Sequence, residues 1–278
     1  MMSLMSKLLT SIIAVTVVLN AGMSESELTK YFKRFIVKNP SVKVVGVEIL
    51  DIKKIPEHPG WEAYLTNMKL KYNGKDISAP QTVFVNGSLA SPLLVDIKSG
   101  ENYAKELKPK VPLSLYNDAH LLFGNKDAKH KIVVFSDPQC PFCMEVVPDI
   151  MKAAKEHPET FALYYYHLPL MRIHPVSGTL VRVMHIAQEK GKNDVVKKLY
   201  TLKIDASETD VDKILAAVKK HSGFAVSKSE IEAQSVKDAI KADQDAAAKM
   251  MVSGTPTIYV DGEWDKLRNK YKSLIPKK

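Results

Sequence analysis

The 278-residue chain holds two cysteines, and both lie in the tetrapeptide Cys140-Pro141-Phe142-Cys143. Two thiols separated by two residues can close a small ring on oxidation and reopen it on reduction. The tetrapeptide follows the apolar run Lys131-Ile132-Val133-Val134-Phe135-Ser136 and precedes a helix-like segment, Met144 to Glu156. A thiol at a helix N-terminus meets the positive end of the dipole and free backbone N–H groups, and both favour thiolate over thiol. The thiolate is the form that attacks disulfides. Cys140 is therefore expected to be a nucleophile, and Cys143, one turn further on, its resolving partner.

Other uses of two thiols are open. A structural zinc site usually takes four ligands, often two such pairs. No second pair exists here, so His167 and His174 are the nearest residues that could complete a site, and their spacing does not demand a metal. Soft thiolates select Cu(I), which makes copper the better metal alternative. A purely structural disulfide would close a very short loop, and stabilisation grows with loop length. The expectation is a redox dithiol with no metal and no cofactor.

The elements that must position these thiols can be read outward from them. A strand is expected at Leu121–Gly124, another at Lys131–Ser136, then the cysteine helix and a strand at Phe161–His167. Helical periodicity then dominates from about 175 to 251, with Leu180, Val183, Met184 and Ala187 on one face and Val211, Ile214, Leu215 and Val218 on another. Thr257-Ile258-Tyr259-Val260 reads as a strand ending in the turn Asp261-Gly262, with a helix from Trp264 to Leu274.

Upstream, Leu28, Tyr31, Phe32, Phe35 and Ile36 recur at helical spacing, with Ser24 or Ser26 as cap and Pro40 beyond the end. Strand-like runs follow. Val45, Val47 and Ile49 alternate with other residues, as do Tyr64, Thr66, Met68, Leu70 and Tyr72. Asn73-Gly74 reads as a tight hairpin turn, a strand covers Gln81 to Val85, and a last short one Leu93 to Ile97. This α+β unit, 23–97, has a thin core and an edge strand that invites pairing with a second chain. Residues 98–112, polar and with Pro109 and Pro112, read as a hinge or short linker helix before a second domain, 113–278.

Apolar content of 45% and charged content of 26% suit a soluble globular protein. Residues 1–22 differ: Lys7 precedes an apolar run that ends at Ala21 and Gly22, shorter than a bilayer span of about 20 residues. It fits a secretory signal, with an uncleaved anchor as the other use of such a run. Disulfides persist outside the cytosol, so an exported chain whose only cysteines form a close pair fits a redox catalyst. The net charge of +9 loses only Lys7 with residues 1–22 and becomes +8. Its lysines are dispersed, with no basic run interleaved with aromatics, so no nucleic-acid partner is expected.

A strand, a C-x-x-C helix, a strand, a helical insert and then Gly254-Thr255-Pro256-Thr257 before a strand resembles the thioredoxin fold. Pro148, eight residues after Cys140, stands where family members often kink that helix. The resemblance implies that Thr255-Pro256 is a cis-proline loop beside the redox pair and contributes to substrate binding. Phe135 to Cys143 and the N-terminal module look like the exported bacterial Dsb isomerases, the DsbC/DsbG group. That likeness implies an α+β N-terminal dimerisation module followed by an α/β thioredoxin fold with a helical insertion, in a periplasmic homodimer. Thr255 is typical of the isomerase group where the DsbA oxidases usually carry Val, and Pro141-Phe142 is closer to DsbG than to the Gly-Tyr of DsbC. Pro141 and Phe142 are expected to tune the redox balance. Phe142 offers no hydrogen bond or charge, which implies a less oxidising pair than the DsbA type. Asp137 is either a helix-approach residue or an aid to proton transfer. The implied partners are unfolded or misoxidised exported proteins and a membrane redox partner that resets the dithiol. A dimeric oxidase, a chaperone and a copper-binding thiol protein stay open as alternatives.

Overall fold

The computed structural model describes residues 22–277. The expected export signal falls almost wholly outside the described residues. Ser24 opens helix α1, Glu25–Tyr31, with a capping box: its hydroxyl accepts from Glu27 N, while Glu27 Oε2 accepts from Ser24 N at 2.8 Å. This satisfies two N–H groups that a helix start otherwise leaves unpaired. A π-helical turn, Phe32–Ile36, continues it. Leu28 and Phe32 pack on an antiparallel sheet of order β1-β2-β3-β4, formed by β1 (Val42–Lys54), β2 (Glu62–Tyr72), β3 (Lys75–Asn86) and β4 (Leu89–Ser91). Burial of each such side chain stabilises by about 1.5–3 kcal/mol.

Three expectations for this unit are corrected. The alternation Val45, Val47, Ile49 breaks because Val45 is a bulge between the pairs Val44–Leu70 and Gly46–Lys69. Val44 and Val47 face the core, and Val45 is left 62% exposed. The strand expected at Gln81–Val85 starts earlier, at Lys75, because the Asn73-Gly74 turn, with φ of 48° and 76°, launches pairing directly from Tyr72–Lys75. Leu93–Ile97 is not a strand; Pro92, without an N–H, follows the short β4, and Val95 makes only an isolated bridge to Asn102.

The connection 98–112 is packed, not a free hinge. It contains α2, Tyr103–Glu106, and Tyr103 is buried beside Ile55, Ala63 and Phe84 on the sheet face opposite α1. Lys108 is buried and its ammonium donates to Met251 O at 2.7 Å, while Lys110 N donates to Asp51 Oδ2 at 3.0 Å. Glu263 takes ion pairs from both Lys53 and Lys110, at 3.3 and 3.0 Å.

The second unit is a mixed sheet of order β5-β7-β6-β8-β9. Its elements in chain order are β5 (Leu121–Gly124), β6 (His130–Ser136), α3 (Pro141–Glu156), β7 (Phe161–His167), α4 (Ser177–Glu189), α5 (Asn193–Leu199), α6 (Val211–Ser222), α7 (Lys228–Ile231), α8 (Gln234–Lys249), β8 (Thr257–Val260), β9 (Glu263–Trp264) and α9 (Lys270–Leu274). Strands β6 and β7 are parallel and joined through α3; β5, β8 and β9 pair antiparallel. One sheet face, carrying Ile132, Val134, Leu163 and Tyr165, packs on α3 and the insert. The other, with Val133, Phe135, Tyr164 and Tyr166, packs on Ala247, Met250 and Val111. Both faces are covered, so β6 and β7 read as unbroken apolar runs. The C-terminal helix expected from Trp264 starts only at Lys270, because the Asp261-Gly262 turn folds Trp264 back as β9 against Tyr259.

Candidate functional site: a dithiol at a helix N-terminus

Strand β6 ends at Ser136, and Asp137-Pro138-Gln139 turns the chain into α3. Cys140 is the N-cap of that helix, with φ −70° and ψ 123°, and Pro141 occupies its first turn. Pro is favoured there because its missing N–H would have no helical partner. Cys140 is 6% exposed and Cys143 is fully buried; both are free thiols. Pro148 lies within α3. The Thr255-Pro256 peptide is cis, and the Cys140 thiol donates to Thr255 O at 3.3 Å. The fold thus brings the expected residues Cys140, Cys143, Thr255 and Pro256 to one place. Pro141 and Phe142 sit at its rim, where Phe142 is 60% exposed and lies under the Arg268 guanidinium, 5.5 Å from the ring centroid.

The two thiols are driven apart electrostatically. A hydrogen bond from the Cys143 thiol, more than any other influence, pushes the Cys140 thiol down to about 5. The Thr255 hydroxyl, buried and acting on both thiols, works in the same direction, as do the backbone N–H groups of Cys143 and Phe142; burial opposes them. Burial, first of all, pushes Cys143 up, and its hydrogen bond to Cys140 adds to that. At neutral pH the pair is one thiolate, on Cys140, and one thiol, on the more deeply buried Cys143. Alkylation of the reduced protein by iodoacetamide is therefore expected to be single-site, at Cys140, with a rate that rises through a midpoint near pH 5. An ordinary thiol would show its midpoint near 8.5. A midpoint above pH 7.5, or equal labelling of both cysteines, would refute this. The linkage sign agrees: a thiol depressed in the folded state stabilises the reduced fold at high pH, and that contribution is lost as pH falls through about 5.

Asp137 has a different task from proton transfer. Its Oδ1 accepts from Gln139 N at 2.8 Å and Ser177 Oγ at 2.6 Å; its Oδ2 accepts from Leu170 N at 2.7 Å and faces His174 Nδ1 at 3.2 Å. A carboxylate so engaged ties the approach to Cys140 to the loop after β7. His174 is thus spoken for. His167 is buried, neither ring nitrogen has a hydrogen-bond partner among the described residues, and burial pushes its pKa down to about 3, which keeps it neutral. Among the described residues no group of three or more His, Cys, Asp or Glu side chains is placed to hold a metal ion.

Nothing in the spacing of Ser136, Tyr165 and Tyr200 marks them as neighbours of the thiols. Yet the Tyr200 hydroxyl donates to Ser136 Oγ at 2.6 Å and meets the Tyr165 hydroxyl at 2.6 Å, all buried behind Cys143. Tyr200 falls just past a short helix of the insert, where a sequence reading sees only an apolar core position.

The thioredoxin family model matches residues 117–274 and leaves the N-terminal unit outside it. Among solved structures, BdbD from Bacillus subtilis is 18% identical, aligned over 60% of this chain and 93% of its own, with a TM-score of 0.47. A periplasmic thioredoxin-like protein from Salmonella enterica serovar Typhimurium is 20% identical over 58% and 91%, with a TM-score of 0.46. The catalytic domain of Proteus mirabilis ScsC is 23% identical over 58% and 90%, with a TM-score of 0.43. A curated relative, the Na(+)/H(+) antiporter NhaA 1 of Mycobacterium sp., is 25% identical over 148 residues, 51% of this chain. The chain spans about a quarter, 24%, of that relative's length. Among the described residues no helix is long and apolar enough to cross a membrane.

Proposed function

This chain belongs to the thioredoxin family, and on that premise we propose that it is an exported thiol:disulfide oxidoreductase that isomerises or reduces protein disulfides. The observation that carries the thiol:disulfide chemistry is the split pair, a Cys140 thiol pushed down to about 5 in front of a buried Cys143 thiol; the choice of isomerase over oxidase rests on Thr255 before Pro256 and on Pro141-Phe142 between the cysteines, as in the DsbC/DsbG group. Cys140 thiolate attacks one sulfur of a substrate disulfide and forms a mixed disulfide, releasing the other substrate sulfur as thiolate. That thiolate can attack elsewhere in the substrate and free the enzyme, which is isomerisation. Alternatively Cys143 attacks Cys140 sulfur and closes the Cys140–Cys143 disulfide, which reduces the substrate and requires a membrane partner to return two electrons. The substrates are unfolded or misoxidised exported proteins in the periplasm, and an extended substrate segment would pair with the main chain of Thr255, taking the place of the Cys140 thiol on its carbonyl.

The N-terminal unit is proposed to pair two chains, on the DsbC/DsbG plan. The edge of β1 away from β2 pairs with no strand among the described residues, and Val45 and Ile52 are exposed along β1. A pairing across such an edge satisfies both rows of backbone groups.

A dimeric oxidase is the second reading, and the depressed Cys140 thiol favours it. Stabilising the thiolate stabilises the reduced form and makes the disulfide a better oxidant. Phe142, which lacks hydrogen bond and charge, adds nothing to that. Acid-quenched thiol trapping in the native cell separates the two readings, together with reactivation of scrambled ribonuclease by the purified protein. The isomerase predicts mostly reduced Cys140 and Cys143 and reactivation; mostly oxidised thiols with no reactivation would make the protein an oxidase.

A further inference from the structure

We propose that Ser136, Tyr200 and Tyr165 form a buried hydroxyl chain that donates a hydrogen bond to the Cys143 sulfur and so assists the resolving step. The inference rests on the assignment of Cys143 as the resolving thiol. That thiol is sealed from water, and to attack a mixed disulfide it must become a thiolate. A buried anion without a donor is costly. Its surroundings supply hydroxyls in a row. Tyr200 donates to Ser136 Oγ at 2.6 Å, and Tyr165 and Tyr200 share the next contact at 2.6 Å. A hydroxyl carries one hydrogen. With Tyr165 donating to Tyr200 and Tyr200 to Ser136, each oxygen is satisfied and one hydrogen is left over, on Ser136. Ser136 ends the strand that leads into the cysteine helix, and its hydroxyl is among the groups that favour the Cys143 thiolate.

The Asp137 backbone and the Thr255 hydroxyl also favour the Cys143 thiolate, and the hydroxyl chain shares the task with them. Cys140 is the sulfur to be attacked. The carboxylate of Asp137 is held by Gln139, Leu170, His174 and Ser177, and only the Asp137 backbone reaches Cys143. Burial, the leading influence on both tyrosines, raises their pKa values, so they stay protonated as donors. The chain is therefore polarised toward sulfur and takes up no proton itself. In the step it serves, Cys143 S–H loses its proton and the thiolate attacks Cys140 sulfur. The Cys140–substrate S–S bond breaks and the Cys140–Cys143 bond forms. Over attack and resolution together the dithiol loses two electrons to the substrate disulfide, which is reduced to two thiols. The departing substrate sulfur leaves as thiolate, and the proton goes to it or to solvent.

The test uses the reduced full-length protein and 5,5′-dithiobis(2-nitrobenzoate), which reports each thiol step by release of one coloured thiolate. The first release follows attack by Cys140 and the second follows resolution by Cys143. Ser136→Ala and the near-isosteric Tyr200→Phe are expected to slow the second release about tenfold, the scale of a lost hydrogen bond to a charged group. The first release stays within about twofold on the same scale. The pH at which the second release is half-maximal moves upward in both variants. An unchanged second phase, equal slowing of both phases, or an unmoved pH midpoint overturns the proposal. A first release that survives Cys140→Ala overturns the thiol assignment instead, independently of the hydroxyl chain.

Discussion

Cys140→Ala is expected to reduce catalysed disulfide exchange, read as insulin reduction or ribonuclease reactivation, to the uncatalysed background, a loss of at least about a thousandfold. An activated nucleophile has no substitute when the chain holds no third cysteine. Cys143→Ala is expected to behave differently. Cys140 remains able to attack, but nothing resolves the product, so covalent adducts with substrate accumulate and appear on non-reducing gels as reducible higher bands. Cys143→Ala also removes the leading cause of the depressed Cys140 thiol, the hydrogen bond from the Cys143 thiol. The alkylation midpoint of Cys140 in that variant therefore moves up from about 5. A Cys140→Ala protein that keeps turning over, or a Cys143→Ala protein that forms no adducts, would reverse the roles of the two thiols.

Asp137→Ala is expected to lower stability by about 3–5 kcal/mol, as does breaking a buried charged network by removing one partner. The change strands Gln139 N, Leu170 N and Ser177 Oγ without their acceptor. Each stranded buried donor costs about 1–3 kcal/mol. For a chain of this size each kcal/mol corresponds to about 2–4 °C, so the melting temperature of the reduced protein falls by about 10 °C. Asp137→Asn is expected to fall between the wild type and the alanine variant: one oxygen still accepts, but its NH2 group is set against another donor. Circular dichroism melts measure both. A shift under about 2 °C for Asp137→Ala, which is under 1 kcal/mol, would mean that the loop after β7 holds without it.

What could be read from the chain was what is local. Leu121–Gly124 and Phe161–His167 are strands with the limits that their apolar runs imply, and the Cys140 helix begins where Pro141 allows it to. Asn73-Gly74 and Asp261-Gly262 are turns because both pairs adopt positive φ. What could not be read depends on partners far along the chain. The distant partners that hold the Asp137 carboxylate lie 33 to 40 residues away at Leu170, His174 and Ser177, and Tyr200 reaches Ser136 across 64 residues. Lys108 looked like part of a solvated linker, and only the tertiary packing puts its ammonium on Met251 O. The Val45 bulge likewise obeys the sheet rather than the alternation.

The packed connection also gives the molecule an optical property. The chain has two tryptophans. Trp61 packs against the cluster that holds Tyr103, at the start of the connection. Trp264 lies under the Lys108 ammonium, 4.9 Å from its ring centroid, near the connection's end. A cation over an indole and a tyrosine beside one both change emission, so detachment of either unit from the connection alters the fluorescence of a different tryptophan. With Trp61→Phe or Trp264→Phe, each end of the joint can be watched by itself, with no dye attached and neither thiol touched.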